Sequence, residues 1–398
     1  MTQAHSDSAF ALTRAQRDLV SEVREIARDE LRPLAESGVP GRVNRPLLAA
    51  MGRLGLLARL FPGVSSGAPS GEVAAMELCL LRETIAAVST DAETALALQG
   101  LGTYPLLQSG RPEVVAQWLP EVAAGRAVAA FALTEPDAGS DAAALALRAD
   151  RDGDGWRLTG EKAWISNAPE ADFYTVFART GDEPGSRGVT AFVVPGDRDG
   201  LTGEPVDLLA PHPIGRLGFD GVRVDPGEVL GDIGSGFRVA MRTLDLFRPS
   251  VGAFAVGMAS AALDAALAHV SSRRAFGGVL ADLQGVGHRL AAVATRVEAA
   301  RLLVYSAATA YDAGERADTT LRAAMAKLFA TETAQEAIDT ALQVHGARAL
   351  ERGHLLEHLY RDVRATRIYE GASEVQLSII ARELRRRAEA LDGGGRQP

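Results

Sequence analysis

The sequence contains one cysteine, Cys79, in 398 residues. A single thiol makes neither an internal disulfide nor a cysteine-based zinc site, and a reducing cytoplasm is the compartment this predicts. Basic charge is also short: 42 Lys and Arg against 51 Asp and Glu give a formal net charge of −9. A nucleic-acid binder would carry a basic face, so that class is set aside. Long apolar runs are missing too. The longest uncharged stretch, Thr94–Gly110, has 17 residues and includes Gln99, Pro105 and Gln108, too short and too polar to span a bilayer. The opening MTQAHSDSAF lacks the basic and apolar regions of a secretory signal. Aromatic residues are 5% of the chain, so the core must be built mainly from Ala, Leu and Val. No GxxxxGK[ST] is present, which excludes a P-loop.

What remains is a chain long enough for two or three domains, with three textures. Residues 11–125 read as helical. Thr13 is an N-cap candidate before Leu19, Val20, Val23, Ile26, Ala27 and Leu31 at helical spacing, and Pro33 is placed to stop that helix. The Gly/Pro/Ser-rich segment 60–71 reads as a loop, and helical patterning returns at 73–88 and 114–122. Residues 152–236 hold 16 of the 41 glycines, about twice the chain average, between the short runs GWRLTG, DFYTVFAR, GVTAFVVP and GVRV. Runs bounded by Gly, Pro and Asp are strand-and-turn signals. From Gly236 the pattern is helical again in four long segments, 237–272, 284–313, 320–343 and 374–391, with Pro249 expected to kink or restart the first. The fold class is therefore α+β: an N-terminal helical domain (1–126), a middle β-barrel/sheet domain (127–235) and a C-terminal four-helix bundle (236–398).

Three features invite functional readings that the context does not support. GDIGSG (231–236) looks like a nucleotide loop, but no βαβ alternation exists, and a strand-to-helix turn explains it. His354-Leu-Leu-Glu-His358 spells an inverted zinc-protease motif, yet nothing supplies a third ligand; two partly solvated histidines on a helical segment are the better reading. Arg385, Arg386 and Arg387 sit in an 18-residue tail with five Arg and three acids, a solvated helix end.

Four other stretches carry more. FALTEPDAGSD (131–141) runs from a strand-like start into a turn where Gly139 and Ser140 offer close backbone approach and polar groups. In LTGEKAWISN (158–167), Trp164 and Ser166 are two apart and share a strand face. SSRRAFGGVLADLQG (271–285) is the third, and QVHGARAL (343–350) with LYRDVRATRIYEGASEVQ (359–376) is the fourth. In the last, Glu370 lies between Tyr369 and Gly371. An isolated Glu is usually a solvated charge; inside an apolar cleft it would be a base working near neutral pH.

Together, in order and spacing, these stretches resemble the acyl-CoA dehydrogenase family of flavoproteins along nearly the whole chain. The resemblance implies FAD as cofactor. It places Phe131, Leu133 and Thr134 at the isoalloxazine, Ser140 between cofactor and substrate, and Trp164 and Ser166 near flavin N5. Asp245, Arg248, Gly371 and Arg382 become substrate contacts. Arg273, Phe276, Gln284, Gln343 and Gly346 would hold the adenosine-diphosphate half of FAD in a neighbouring subunit, which implies a homodimer or homotetramer. Ala372 and Glu374 fall at further cofactor positions, and Glu370 aligns with the catalytic base.

The implied reaction converts an acyl-CoA, or an acyl-carrier-protein thioester, into the trans-2-enoyl thioester. A base takes the weakly acidic α-proton, donors hold the carbonyl oxygen, and the β-hydrogen leaves as hydride to flavin N5. An electron-transfer flavoprotein is the implied acceptor. Oxidase or monooxygenase chemistry on the same fold, and a non-catalytic scaffold, are the alternatives. The chain departs from the family pattern at Ala372, where Thr is usual, and at Ala347, where a second Gly is common. Phe247 occupies the place of an alternative base in the isovaleryl type, which leaves Glu370 as the base candidate. The stretch 208–219, LLAPHPIGRLGF, matches neither the family text nor any motif above.

Overall fold

Thr13 caps helix α1 (Arg14–Ile26) through a reciprocal box: Gln16 N–H donates to Thr13 Oγ1, and Thr13 N–H donates to Gln16 Oε1. The helix does not stop at Pro33. It widens into a π-turn (Ala27–Leu31) and resumes as α2 (Arg32–Glu36), with Pro33 in the first turn, where no N–H is needed. The computed structural model describes residues 11–64, 73–183, 185–315 and 318–393. MTQAHSDSAF, most of the loop read at 60–71 and residues 394–398 lie outside that description.

Helices α3 (Arg45–Arg53), α4 (Ala75–Ala86), α5 (Thr90–Ser109) and α6 (Pro112–Ala123) complete the first layer. Helices α4 and α5 are buried on most faces, which explains why neither shows an apolar stripe. Cys79 is fully buried on α4, and desolvation pushes its thiol well up from its ordinary value. Gly102 lets α5 lie directly on the sheet: a Cβ there would come within 2.7 Å of the Ala130 backbone nitrogen.

The middle layer is one sheet. Its strands are β1 (Ala129–Ala132), β2 (Arg148–Asp152), β3 (Gly155–Ser166), β4 (Phe173–Arg179), β5 (Val189–Pro195), β6 (Leu201–Pro205), β7 (Ile214–Val224) and β8 (Val229–Leu230). They run in the order β6-β7-β3-β2-β4-β5-β8, with β1 beside β4 in parallel. Strands β4 and β5 are buried on both faces, so they read as continuous apolar runs; GWRLTG and GVRV prove to be parts of longer strands.

GDIGSG is the turn from β8 into α7 (Gly236–Ser272). Helix α7 is one continuous 37-residue helix with Pro249 inside it, so the expected restart at Arg248 does not occur. By length and composition it could cross a membrane; here it is the largely buried central helix of the third layer. A small hairpin follows, β9 (Arg274–Ala275) and β10 (Gly278–Val279), with Phe276 and Gly277 at its tip. Helices α8 (Gln284–Asp312), α9 (Thr319–His345) and α10 (Leu355–Thr366) pack on α7, and α11 (Ser373–Gly393) packs on α9. The bundle of four long helices thus has a fifth, shorter member, α10.

Candidate active site

The turn from α10 to α11 carries Glu370. The residue has φ 50°, a conformation few non-glycine residues adopt, and Gly371 follows at φ 94°. Three contacts hold this backbone. Lys327 Nζ of α9 donates to Gly371 O at 2.7 Å, and Gln376 Nε2 donates to Gly371 O at 2.9 Å and to Glu370 O at 3.3 Å. The carboxylate itself is free: Glu370 Oε2 is buried and has no hydrogen-bond partner among the described residues.

Three cations face that carboxylate from three helices. Desolvation raises the Glu370 pKa, while Arg82 of α4, then Lys327, then Arg248 of α7 pull it down; desolvation wins. Each cation is engaged elsewhere. Arg82 is paired with Glu93 of α5, and its Nη1 donates to Ser250 Oγ at 2.7 Å. Arg248 Nη1 bonds Asp245 Oδ1 at 3.0 Å, and Asp245 Oδ2 accepts from Thr320 Oγ1 at 2.9 Å. Burial pushes Glu93 up to about 7 and Lys327 down to about 8. Arg248 therefore stands near Glu370, and Asp245 is held on Arg248. Arg82, Glu93 and Lys327 were not found by sequence reasoning. Lys327 carried a signal, a single charge inside the otherwise apolar helical run AMAKLFA, whereas Arg82 stands beside Glu83 in CLLRETI and Glu93 close to Asp91 in DAETALA.

A second constellation joins the 131–141 turn to the end of β3. Glu135 is buried; it accepts from Ala146 and Leu147 N–H and pairs with the buried Lys162 Nζ at 2.8 Å. Lys162 Nζ also donates to Leu133 O, and Ala163 N–H donates to Thr134 O at 3.0 Å. Phe131 packs on Phe177 with ring centroids 4.9 Å apart, Leu133 is buried and Ser140 is exposed. The β3–β7 register shifts between Lys162 and Ile165, and Trp164 takes φ 52° there. That bulge turns the indole outward, 48% exposed, so Trp164 is not a core aromatic. Ser166 Oγ meets His212 Nε2 at 2.8 Å.

The third set stands apart. Arg273, Phe276, Gln284, Gln343 and Gly346 are all exposed, Phe276 at 90%. The His269 and His345 rings stack at 4.1 Å and bring the ends of α7 and α9 together, so these residues share one surface. That surface is remote from Glu370 of the same chain: Gln343 is sixteen residues, about 24 Å, along α9 from Lys327. Around the main site Ala372 is part-buried, Glu374 is exposed in the first turn of α11, and Arg382 is exposed against Glu383. Phe247 is a core residue packed on Gly100 and Tyr104. His354 caps α10 and His358 pairs with Asp362; no cluster fit for a metal occurs among the described residues.

Family models for the acyl-CoA dehydrogenase N-terminal, middle and C-terminal domains match residues 13–126, 130–222 and 234–385. A probable acyl-CoA dehydrogenase of Mycobacterium tuberculosis, FadE25, is 37% identical over 381 residues, 95% of this chain and 97% of its own. The chain belongs to the acyl-CoA dehydrogenase family. Among solved structures, butyryl-CoA dehydrogenase from Megasphaera elsdenii superposes with a TM-score of 0.87 at 31% identity, covering 95% of this chain and all of that one. The FAD complex of PigA superposes with a TM-score of 0.88 at 26% identity, over 95% and 99% of the two chains.

The dehydrogenase is an FAD-dependent oxidoreductase of acyl-CoA, and its residues fit that cofactor. An isoalloxazine needs a face to stack on and polar groups at its edge; the outward Trp164 indole and the Thr134 and Ser166 hydroxyls supply them. A diphosphate needs cations and open backbone. Arg273 is exposed, and a Cβ on Gly346 would meet nothing within 4 Å. A cleft of about 490 Å³ lies beyond Ser140, lined by Asp141, Leu145, Arg148, Arg179 and Glu183, and does not include Glu370.

Proposed function

We propose that the dehydrogenase oxidises a saturated acyl-CoA to its trans-2-enoyl thioester with Glu370 as the base. The observation that carries this is the buried Glu370 Oε2, a carboxylate oxygen in a desolvated turn with no partner of its own. Desolvation makes the carboxylate a stronger base, and Arg82, Lys327 and Arg248 favour its ionised form against that burial. Glu370 removes the α-proton, and its backbone N–H donates to the thioester carbonyl oxygen, where negative charge grows. Lys327 and Gln376 hold the backbone that presents both groups. Bound FAD supplies the hydride acceptor for the β-hydrogen. Phe131, Leu133, Thr134, Ser140, Trp164 and Ser166 orient the ring. Asp245, Arg248, Gly371 and Arg382 contact the substrate.

The exposed set of Arg273, Phe276, Gln284, Gln343 and Gly346 serves a neighbouring copy, in a homodimer or homotetramer, and an electron-transfer flavoprotein takes the electrons. The three layers correspond to domains divided at residues 127 and 236.

The test is the visible spectrum of the FAD-loaded protein without oxygen, before and after a panel of saturated acyl-CoAs. At least one acyl-CoA should bleach the flavin band, and Glu370→Gln should bind the same acyl-CoA without bleaching. A Glu370→Gln variant that bleaches at the wild-type rate would remove Glu370 as the base.

A further inference from the structure

The loop between β6 and β7, residues 206–213, plays no part in the reading above, yet it sets a histidine on Ser166. We propose that His212 is a positioning residue for the cofactor: through Ser166 it fixes the direction of the hydrogen bond presented to flavin N5 and stabilises the reduced ring. This rests on the reading that Ser166 faces N5.

The loop is built to hold one side chain still. Pro211 and Pro213 flank His212, fixing two φ angles and removing two N–H donors. Asn167 N–H donates to Pro213 O at 2.8 Å and Val206 N–H to Ile214 O at 2.9 Å, which clamps the loop to the end of β3 and the start of β7. Arg361 Nη1 of α10 reaches Leu209 O at 3.4 Å from the other side. His212 Nε2 then lies 2.8 Å from Ser166 Oγ.

The imidazole is part-buried, and burial pushes it down to about 4, so it is neutral near pH 7. A neutral imidazole has one N–H and one bare nitrogen. If Nε2 carries the proton, it donates to Ser166 and frees the serine proton for a ligand. If Nε2 is bare, it accepts the serine proton, and Ser166 offers the ligand only lone pairs. In this proposal the ring proton sits on Nδ1, the nitrogen that does not meet Ser166 Oγ. Nε2 is then the acceptor, and Ser166 turns lone pairs toward N5.

That polarity is not neutral toward redox state. N5 accepts a hydrogen bond when oxidised; having taken the substrate's hydride, it carries N–H and donates one. A serine whose proton is held by His212 welcomes the donor and leaves the acceptor unserved. The pair therefore favours the reduced ring, and only a tautomer change reverses it.

Equilibrium reduction of the FAD-loaded protein against a reference dye, without oxygen, reads the effect directly. His212→Phe should lower the equilibrium constant for reduction about fivefold, the worth of one neutral hydrogen bond. His212→Gln, whose carbonyl can stand in for Nε2, should restore most of it, and Ser166→Ala should lower it at least as far. An unchanged constant in His212→Phe, with a shift in Ser166→Ala, would overturn the role of His212 and leave Ser166 at the flavin. No shift in either variant, with Glu370→Gln still blocking bleaching, would remove Ser166 from N5 and this inference with it. Should His212→Phe lose FAD, His212→Asn is too short to reach Ser166 Oγ and carries the same expectation and the same refutation.

Discussion

At the residue scale, Glu370 is a balance between burial, which protonates it, and three cations, which ionise it. Because its pKa stands above the ordinary carboxylate value, kcat/KM should climb with pH through that raised pKa and level off above it. Lys327→Met removes one of the cations and the bond to Gly371 O. The acid limb should move to higher pH, with a several-fold larger loss at pH 6 than at pH 8. A pH profile of kcat/KM for both proteins checks this, and equal losses at both ends would count against an electrostatic role. Glu370 was legible because it sits in a motif of neighbours in sequence, YEGAS. Arg82 and Lys327 were not, because they reach the site from helices separated from it by 288 and 43 positions, and only packing brings them there.

At the element scale, the sequence announced helices by period and strands by breakers, and failed where packing overrides local rules. Pro33 and Pro249 are tolerated, the one in a first turn and the other within a long buried helix. The short β8 and the part-exposed β6 had too little apolar alternation to stand out. The bulge at Trp164 was invisible because period-two reasoning assumes an unbroken ladder. The joint between the 131–141 turn and β3 depends on the buried Lys162–Glu135 pair. Lys162→Met leaves Glu135 buried without its cation and should cost roughly 3–5 kcal/mol. Denaturant unfolding and the fraction of protein purified with FAD would check it. A loss below 1 kcal/mol with full FAD occupancy would show that the two backbone donors to Glu135 suffice.

At the scale of the molecule, apolar side chains are exposed on the hairpin, on α11 and in the turns either side of α10: Phe276, Leu350, Ile368 and Leu377 are each more than half exposed. Side chains of this kind seek a partner surface. Phe276→Ser should reduce FAD retention on dilution while leaving the circular dichroism spectrum unchanged; light scattering on the same samples reads whether cofactor and assembly are lost together. Retention equal to wild type would place the cofactor's outer half elsewhere.

The chain as a whole also has a practical chemical consequence. Its one thiol is sealed in α4 and held in the unreactive protonated form. An added surface cysteine, at Asp154 or Ser272 for example, would therefore be the sole site for maleimide chemistry on the folded protein. A dye at Ser272 would sit one residue from Arg273, and its quenching by bound flavin would report cofactor arrival in real time, without any native residue having to be removed first.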